Sequence, residues 1–395
     1  MATMNEANID MKRYDRQIRL WGKDTQVGIL GARILFLRVT GLCTEVAKNL
    51  VLAGVGHVTV CDPEKVTQDD IDTGAVFYFG KGDVGRPRAE VLAEHLRQLN
   101  PSVNIAARVV DARNFDADEL GTFNYIIGTH GAGAVSDLIA CAETLEPTVV
   151  EEPPRKKARA NGAEAETAPA PRGAVNGGNV VLPMRPPEKP MPKMMAAGTL
   201  GLHGFCVLDL REHVHVPLEP KKKKDDEAEK AASSKAAEPA RMRVVYPSIK
   251  QAMGVDWAAF GKRVPPFFAA LQLLCELHKH KRSPAGTATA DTAKWLEHRR
   301  FAKLQEAERP AEWLSADFVA RVARHAQAEM APVCAVVGGV VASEVIKIIS
   351  GKGAPINNAF FFDALDTSEG IVQRLGPSFS CPWGVDAGKP VALEE

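Results

Sequence analysis

Residues 38–62, "RVTGLCTEVAKNLVLAGVGHVTVCD", set a short turn between an apolar strand and a helix, and place Asp62 after the strand that follows. A strand, turn and helix in this order bind nucleotide phosphates when glycines let the backbone N–H groups at the helix N-terminus approach them. Here that chemistry is damaged. The loop reads Arg38, Val39, Thr40, Gly41, Leu42, Cys43, and side chains on Arg38 and Cys43 would fill the volume that phosphates need. Taken alone, Asp62 reads as a cap or loop acid before it reads as a ribose ligand.

Other reactive residue types carry less. A nucleophilic thiol must be exposed and electropositive to ionise. Of the seven cysteines, Cys43, Cys61, Cys141 and Cys334 sit in apolar elements, Cys206 and Cys275 in apolar runs, and Cys381, in "SFSCPWG", has no base nearby. Their odd number and the lack of CxxC spacing exclude a disulfide framework and a structural zinc site, which suits a reducing compartment. No metal is expected in this chain. The segment "YDRQIRLWG", Tyr14 to Gly22, predicts an amphipathic helix with Ile18 and Trp21 on the core and Arg16 and Arg19 in solvent. The run "PPRKKARA", with Arg155 to Arg159, is either a nuclear localisation element or a solvated charge cluster. Lys221 to Lys224, balanced by the acids that follow, reads as a solvated linker.

The elements that must position these residues follow a repeating order. From Arg33 run a strand "RILFLRV", a helix "CTEVAKNLVLAG" and a strand "HVTVCD", the length of a right-handed βαβ crossover. Val46, Leu50 and Ala53 recur at helical spacing and face the sheet, and Gly54 and Gly56 end the helix. A helix "RPRAEVLAEHLRQL" and the strands "VNIAARVV" and "YIIGTH" continue the pattern. The fold class is α/β: a Rossmann-like, mostly parallel sheet with helices on both faces. The expected partition is a first part at 10–150, a disordered insertion at 151–190, an ordered block at 191–218, and a disordered charged linker at 219–240. A mainly helical region at 241–330, a return to the main fold at 331–376 and a tail at 377–395 complete it. The insertions are too poor in large apolar residues to repay ordering. "PVCAVVGGVVASEVIKII", Pro332 to Ile349, contains Glu344 and Lys347 and is read as a buried core helix, not a membrane span. In "NNAFFFDAL" the three phenylalanines mark a strand buried on both faces.

Length and charge bound the function. The chain has 395 residues and a 45% apolar fraction, ample for a core, and 49 basic against 49 acidic residues. No global field draws it to nucleic acid or an acidic membrane, so neither is an expected partner; a protein or a nucleotide is. The N-terminus shows no apolar signal region, and a cytosolic or nuclear location is expected.

Four stretches together point to a family: "YDRQIRLWG", residues 41–62, "VGRPRAE" with "LNPSV", and "MAPVCAVVGGVVASEVIKIISG" with "NNAFFFDAL". In sequence and order they resemble the ubiquitin-like-protein activating enzymes, and with the helical block they cover most of the chain outside the insertions. The phrasing of "MAPVCAVVGG" and "RVVYPSIKQAMGVDW" is most similar to the small, regulatory halves of the SUMO-type branch.

The resemblance implies two homologous adenylation domains packed face to face, one binding ATP, Mg2+ and the modifier's tail, the other silent. Against the family's GxGGLG loop, Arg38 and Cys43 stand at two glycine positions. Ala75 and Val76 replace an Arg-Gln pair, Arg88 replaces a lysine, and "GTHGAG", Gly128 to Gly133, lacks the magnesium acid. Asp62 remains where a competent member binds ribose. The resemblance therefore implies the inactive half, with no cofactor of its own and ATP and Mg2+ held by the catalytic large subunit of a heterodimer. SUMO would be met through that complex, and the location would be the nucleus, with some protein in the cytoplasm. It also implies that Arg16 reaches across to the partner's ATP site, where a permanently charged planar fork suits phosphate oxygens. The Nedd-type regulatory subunit and a homodimeric sulfur-carrier adenylyltransferase are the alternatives.

Overall fold

The computed structural model describes residues 9–146, 191–217, 240–281, 289–365, 370–376 and 391–392. The expected insertions at 151–190 and 219–240 lie outside the described residues, apart from Ala240, as do Arg155 to Arg159, Lys221 to Lys224 and Cys381.

The chain opens with two short helices, α1 (Asp15–Trp21) and α2 (Lys23–Gly31). Then come β1 (Arg33–Leu37), α3 (Gly41–Ala53), β2 (His57–Cys61), α4 (Gln68–Thr73), α5 (Arg88–Leu99), β3 (Asn104–Arg108), α6 (Ala117–Leu120), β4 (Tyr125–Gly128) and α7 (Ala132–Leu145). After the first undescribed stretch follow β5 (Lys193–Leu200), β6 (His203–Asp209) and β7 (Glu212–His215). The helical region begins with β8 (Met242–Val245) and α8 (Ile249–Met253) and contains α9 (Pro266–Lys281), α10 (Ala290–Glu306) and α11 (Ala316–Arg324). The long helix α12 (Ala331–Ser350) leads back to β9 (Ala359–Asp363), β10 (Ile371–Gln373) and β11 (Val391–Ala392).

Eight strands form one sheet in the order β10-β9-β6-β5-β4-β1-β2-β3. From β3 to β5 neighbouring strands run parallel, and β6, β9 and β10 each run antiparallel to the neighbour before them. A small antiparallel sheet, β11-β8-β7, stands beside it.

The unbroken apolar run of β1 is explained by burial on both faces. Ile34 and Phe36 join a core with α3, α5 and α12, whereas Leu35 and Leu37 join a second core with α7 and α9. The same alternation sends Phe360 to the first core and Phe361 to the second. Chain order reverses between β1 and β4, so the crevice at their carboxyl ends is where such a sheet presents a ligand site.

Helix α3 starts at Thr40, whose hydroxyl caps the Cys43 N–H at 3.0 Å, and ends at Gly54, which is left-handed at φ 86°. Gly56, expected to end the helix together with Gly54, does not: its N–H donates to the Ile29 carbonyl of α2 at 3.1 Å. A Cβ there would overlap the Leu30 carbonyl, so its role is close passage of the chain beneath α2. Helix α12 is long and apolar enough to cross a membrane by composition. In the fold it packs on α3, β5 and β6 and buries Val333, Val337, Val341 and Val345 in the first core.

Candidate functional site

The loop after β1 keeps the backbone of a glycine loop while carrying side chains. Arg38 sits in the left-handed region, at φ 68°. That conformation costs a non-glycine residue about 1–2 kcal/mol, so it persists only where its surroundings hold it. They do. The Arg38 N–H donates to the Cys61 carbonyl at 2.8 Å, and its guanidinium faces three carboxylates: Asp111 at 3.2 Å, Glu64 at 3.4 Å and Asp62 at 3.8 Å.

Asp62 is fully buried, and its two oxygens accept the backbone N–H of Val39 at 2.7 Å and of Glu64 at 2.8 Å. Burial pushes its carboxyl above the usual range, against the pull of those two hydrogen bonds and of Arg38 and Arg88. Asp62 therefore ties the loop to the end of β2. Its acceptors are engaged inside the chain.

Arg88 extends the same network. It donates to both oxygens of Asp70 at 2.8 Å and to Glu64 at 2.8 Å, so Glu64 links two arginines. Burial would raise the Asp70 carboxyl, but the Thr67 N–H and Arg88 outweigh it and hold it low. On the other side His130, inside "GTHGAG", meets Asp137 of α7 at 3.2 Å, and Arg113 meets the same carboxylate at 3.4 Å. Burial likewise raises Asp137, and His130, Arg38 and Arg113 overcome it.

Gly41 and Leu42, the first residues of α3, donate their N–H groups to the Glu329 carboxylate at 2.7 and 3.3 Å. Burial pushes this carboxyl up, opposed by the same two N–H groups, Thr40 and Arg88. Above the turn, a Cβ on Gly41 would lie 2.6 Å from the Ala75 carbonyl oxygen, so Gly41 is required by packing. Val76 is buried in the first core. Cys43 differs from expectation: its side chain belongs to that core beneath α3 and does not fill the loop's mouth, and burial pushes its thiol up to about 12. A cavity of about 640 Å³ lies elsewhere, against Phe267, Trp313, Phe318 and Phe361.

Arg38 and Arg88 are thus joined through Glu64 in one ion-pair network with Asp62, Asp70 and Asp111, while Gly41 is engaged separately by Glu329. The sheet order fits a Rossmann-like ThiF fold, and residues 14–381 match the ThiF family. The chain belongs to the ThiF family. It is 31% identical over 380 residues to SUMO-activating enzyme subunit 1 of Bos taurus, covering 93% of this chain and 95% of that protein. Against the protein of the same name from Homo sapiens the identity is 31%, over 92% and 95%. For Danio rerio it is 28%, over 91% and 93%.

In this ThiF-family chain Arg16 is far less constrained than the loop. It lies exposed on α1, whereas Arg19 pairs with Asp15 at 3.0 Å. Helix α1 is held at its start by the buried Tyr14, whose hydroxyl accepts from Asn100 at 3.1 Å. At its end Trp21 packs on the first core, and its carbonyl accepts from Lys352 at 2.7 Å. Leu20, beside Arg16, is 77% exposed, and Leu52, whose carbonyl accepts from Gln17, is 49% exposed. The described cysteines are buried apart from the half-buried Cys275.

Sequence reading found Arg38, Gly41, Asp62 and Arg88 but missed Glu329, Glu64, Asp70, Asp111 and Asp137. Glu64 and Asp70 fall between Asp62 and Arg88, a local surplus of acid that signals partners for a basic residue. Glu329 carries no such signal, since 288 positions separate it from Gly41.

Proposed function

We propose that this chain is the regulatory, non-catalytic half of a heterodimeric SUMO-activating enzyme, supporting ATP-dependent adenylation and thioester formation of the modifier in its partner. The observation that carries this reading is the loop after β1. A ThiF-family site whose arginine is locked among Asp62, Glu64 and Asp111, and whose helix N-terminus already holds Glu329, does not fit a nucleotide. ATP and Mg2+ therefore belong to the catalytic large subunit, and no step of the reaction runs through this chain's own loop. The relatives named SUMO-activating enzyme subunit 1 support the choice of modifier.

What this chain contributes is a folded surface and a charge. Arg16 projects from a helix whose two ends are anchored, so a guanidinium is offered outward from a rigid mount. The exposed Leu20, Leu52 and Val336 lie on α1, α3 and α12, and exposed apolar residues of this kind support a protein partner. The location we propose is the nucleus, with a cytoplasmic fraction.

Calorimetry of the isolated chain with MgATP, and pyrophosphate exchange with and without the large subunit, tests the assignment. No saturable binding and no exchange are expected alone, with exchange appearing when the large subunit and SUMO are added. Micromolar binding or exchange by the chain alone would overturn it.

A further inference from the structure

We propose that Glu329 is the resident anion of the degenerate loop: its carboxylate stands on the N-terminus of α3 in place of a phosphate, closing the site from within. The helix it caps has 13 residues, long enough for its aligned peptide dipoles to concentrate positive charge at the first turn.

The first N–H groups of a helix have no partner inside it. Here each is accounted for. Gly41 and Leu42 donate to Glu329 at 2.7 and 3.3 Å, Cys43 donates to the Thr40 hydroxyl at 3.0 Å, and Thr44 opens the helical ladder on the Thr40 carbonyl at 3.0 Å. The N–H groups of Gly41, Leu42 and Cys43 are therefore not left to hold a second anion.

The carboxylate is delivered by ordered backbone. Gly201, at the end of β5, donates its N–H to the Ala328 carbonyl at 2.8 Å and bridges to Glu329, and Met330 next to it is the N-cap of α12. The Ala75 carbonyl oxygen lies within 2.6 Å of where a Gly41 Cβ would stand, so an oxygen dipole that repels phosphate sits beside the turn. In consequence the Glu329 side chain ties the start of α3 to the residue that precedes the N-cap of α12. The damaged glycine loop would otherwise leave buried, unpartnered donors.

A mere helix cap would also stabilise α3, so the test must separate capping from anion binding. The full chain carrying Glu329→Ala is melted in inorganic phosphate and in chloride of matched ionic strength. The variant should melt lower than the parent by about 2–4 °C or more, and phosphate should raise its midpoint well beyond the shift that phosphate gives the parent. Equal phosphate shifts in the two proteins, or an unchanged midpoint in chloride, overturn the proposal. Should Glu329→Ala fail to fold, Glu329→Gln keeps the shape and one acceptor but loses the charge. The amide proton signals of Gly41 and Leu42 should then move upfield relative to the parent, and unmoved signals overturn the proposal. The readout is this chain's own stability, so it does not depend on the identity of the partner.

Discussion

Arg16 and Arg38 show how surroundings decide what one residue type does. Arg38 is 23% exposed at its side chain and faces three carboxylates, so its charge is consumed in holding the loop. Arg16 is exposed on α1, and its neighbour Arg19 is the one engaged with Asp15. If Arg16 stabilises charge in the partner's site, Arg16→Ala should leave the heterodimer assembled by size exclusion and slow single-turnover adenylation by about 100-fold, as loss of a preorganised charge stabiliser does. Lysine should rescue poorly, because it keeps the charge and loses the planar fork. Arg19→Ala is the control and should change the rate little. An unchanged rate in Arg16→Ala would return this arginine to a solvated surface role. At this scale the sequence was legible where chemistry depends on residue type at close spacing, as in Arg38, Gly41 and Asp62. It was silent on Glu329, because a contact between residues 288 positions apart is set by how α12 crosses α3, which local pattern does not encode.

Elements were legible for a different reason. The alternation of Ile34 and Phe36 against Leu35 and Leu37, and of Phe360 against Phe361, is a periodicity that burial on two faces imposes. Close approaches between elements were less legible, since a glycine in a sequence does not say what lies opposite. Gly56 is one case, and the pair Gly338 and Gly339 in α12 is another. A Cβ on Gly338 would stand 2.7 Å from the Glu45 Cβ on α3, whereas one on Gly339 meets nothing within 4 Å. Replacing a helical glycine by alanine gains about 1 kcal/mol of helix propensity, and overpacking a tight contact costs about 1–3 kcal/mol. Gly339→Ala should therefore stabilise the isolated chain by up to about 1 kcal/mol. Gly338→Ala should destabilise it, because α12 must move away from α3. Urea midpoints of the two variants check both signs, and a lower midpoint for Gly339→Ala would show that its face is already covered.

For the molecule as a whole, balanced formal charge hides a local imbalance that only the fold assembles. At the small sheet the Lys193 ammonium lies 3.1 Å from His213 Nδ1, and the His213 and His215 rings stack at 5.9 Å between centroids. Lys193 begins β5, on the far side of an undescribed stretch from the first part of the fold, so sequence distance concealed the cluster. Burial first, then the Lys193 and His215 charges, pull His213 down to about 3 from an ordinary 6.5. Burial also lowers His203 and His215. A base whose folded value is depressed binds its proton more readily when unfolded, so stability is complete above the unfolded value and falls as pH drops from 6.5 toward 3. The conversion of about 1.36 kcal/mol per pKa unit makes the loss from His213 alone about 2 kcal/mol by roughly pH 5. The Asp70 and Asp137 carboxyls are held low, whereas Asp62 and Glu329 are pushed up and act in the opposite sense as pH falls, so the imidazole contribution is read as the difference between the parent and variant profiles. Urea unfolding of the full chain between pH 7 and pH 5 should show this fall, and His213→Gln should flatten it whatever its effect on stability at pH 7. A parallel pH profile in the variant would mean that Lys193 and His213 separate in solution and that the cluster carries no acid sensitivity.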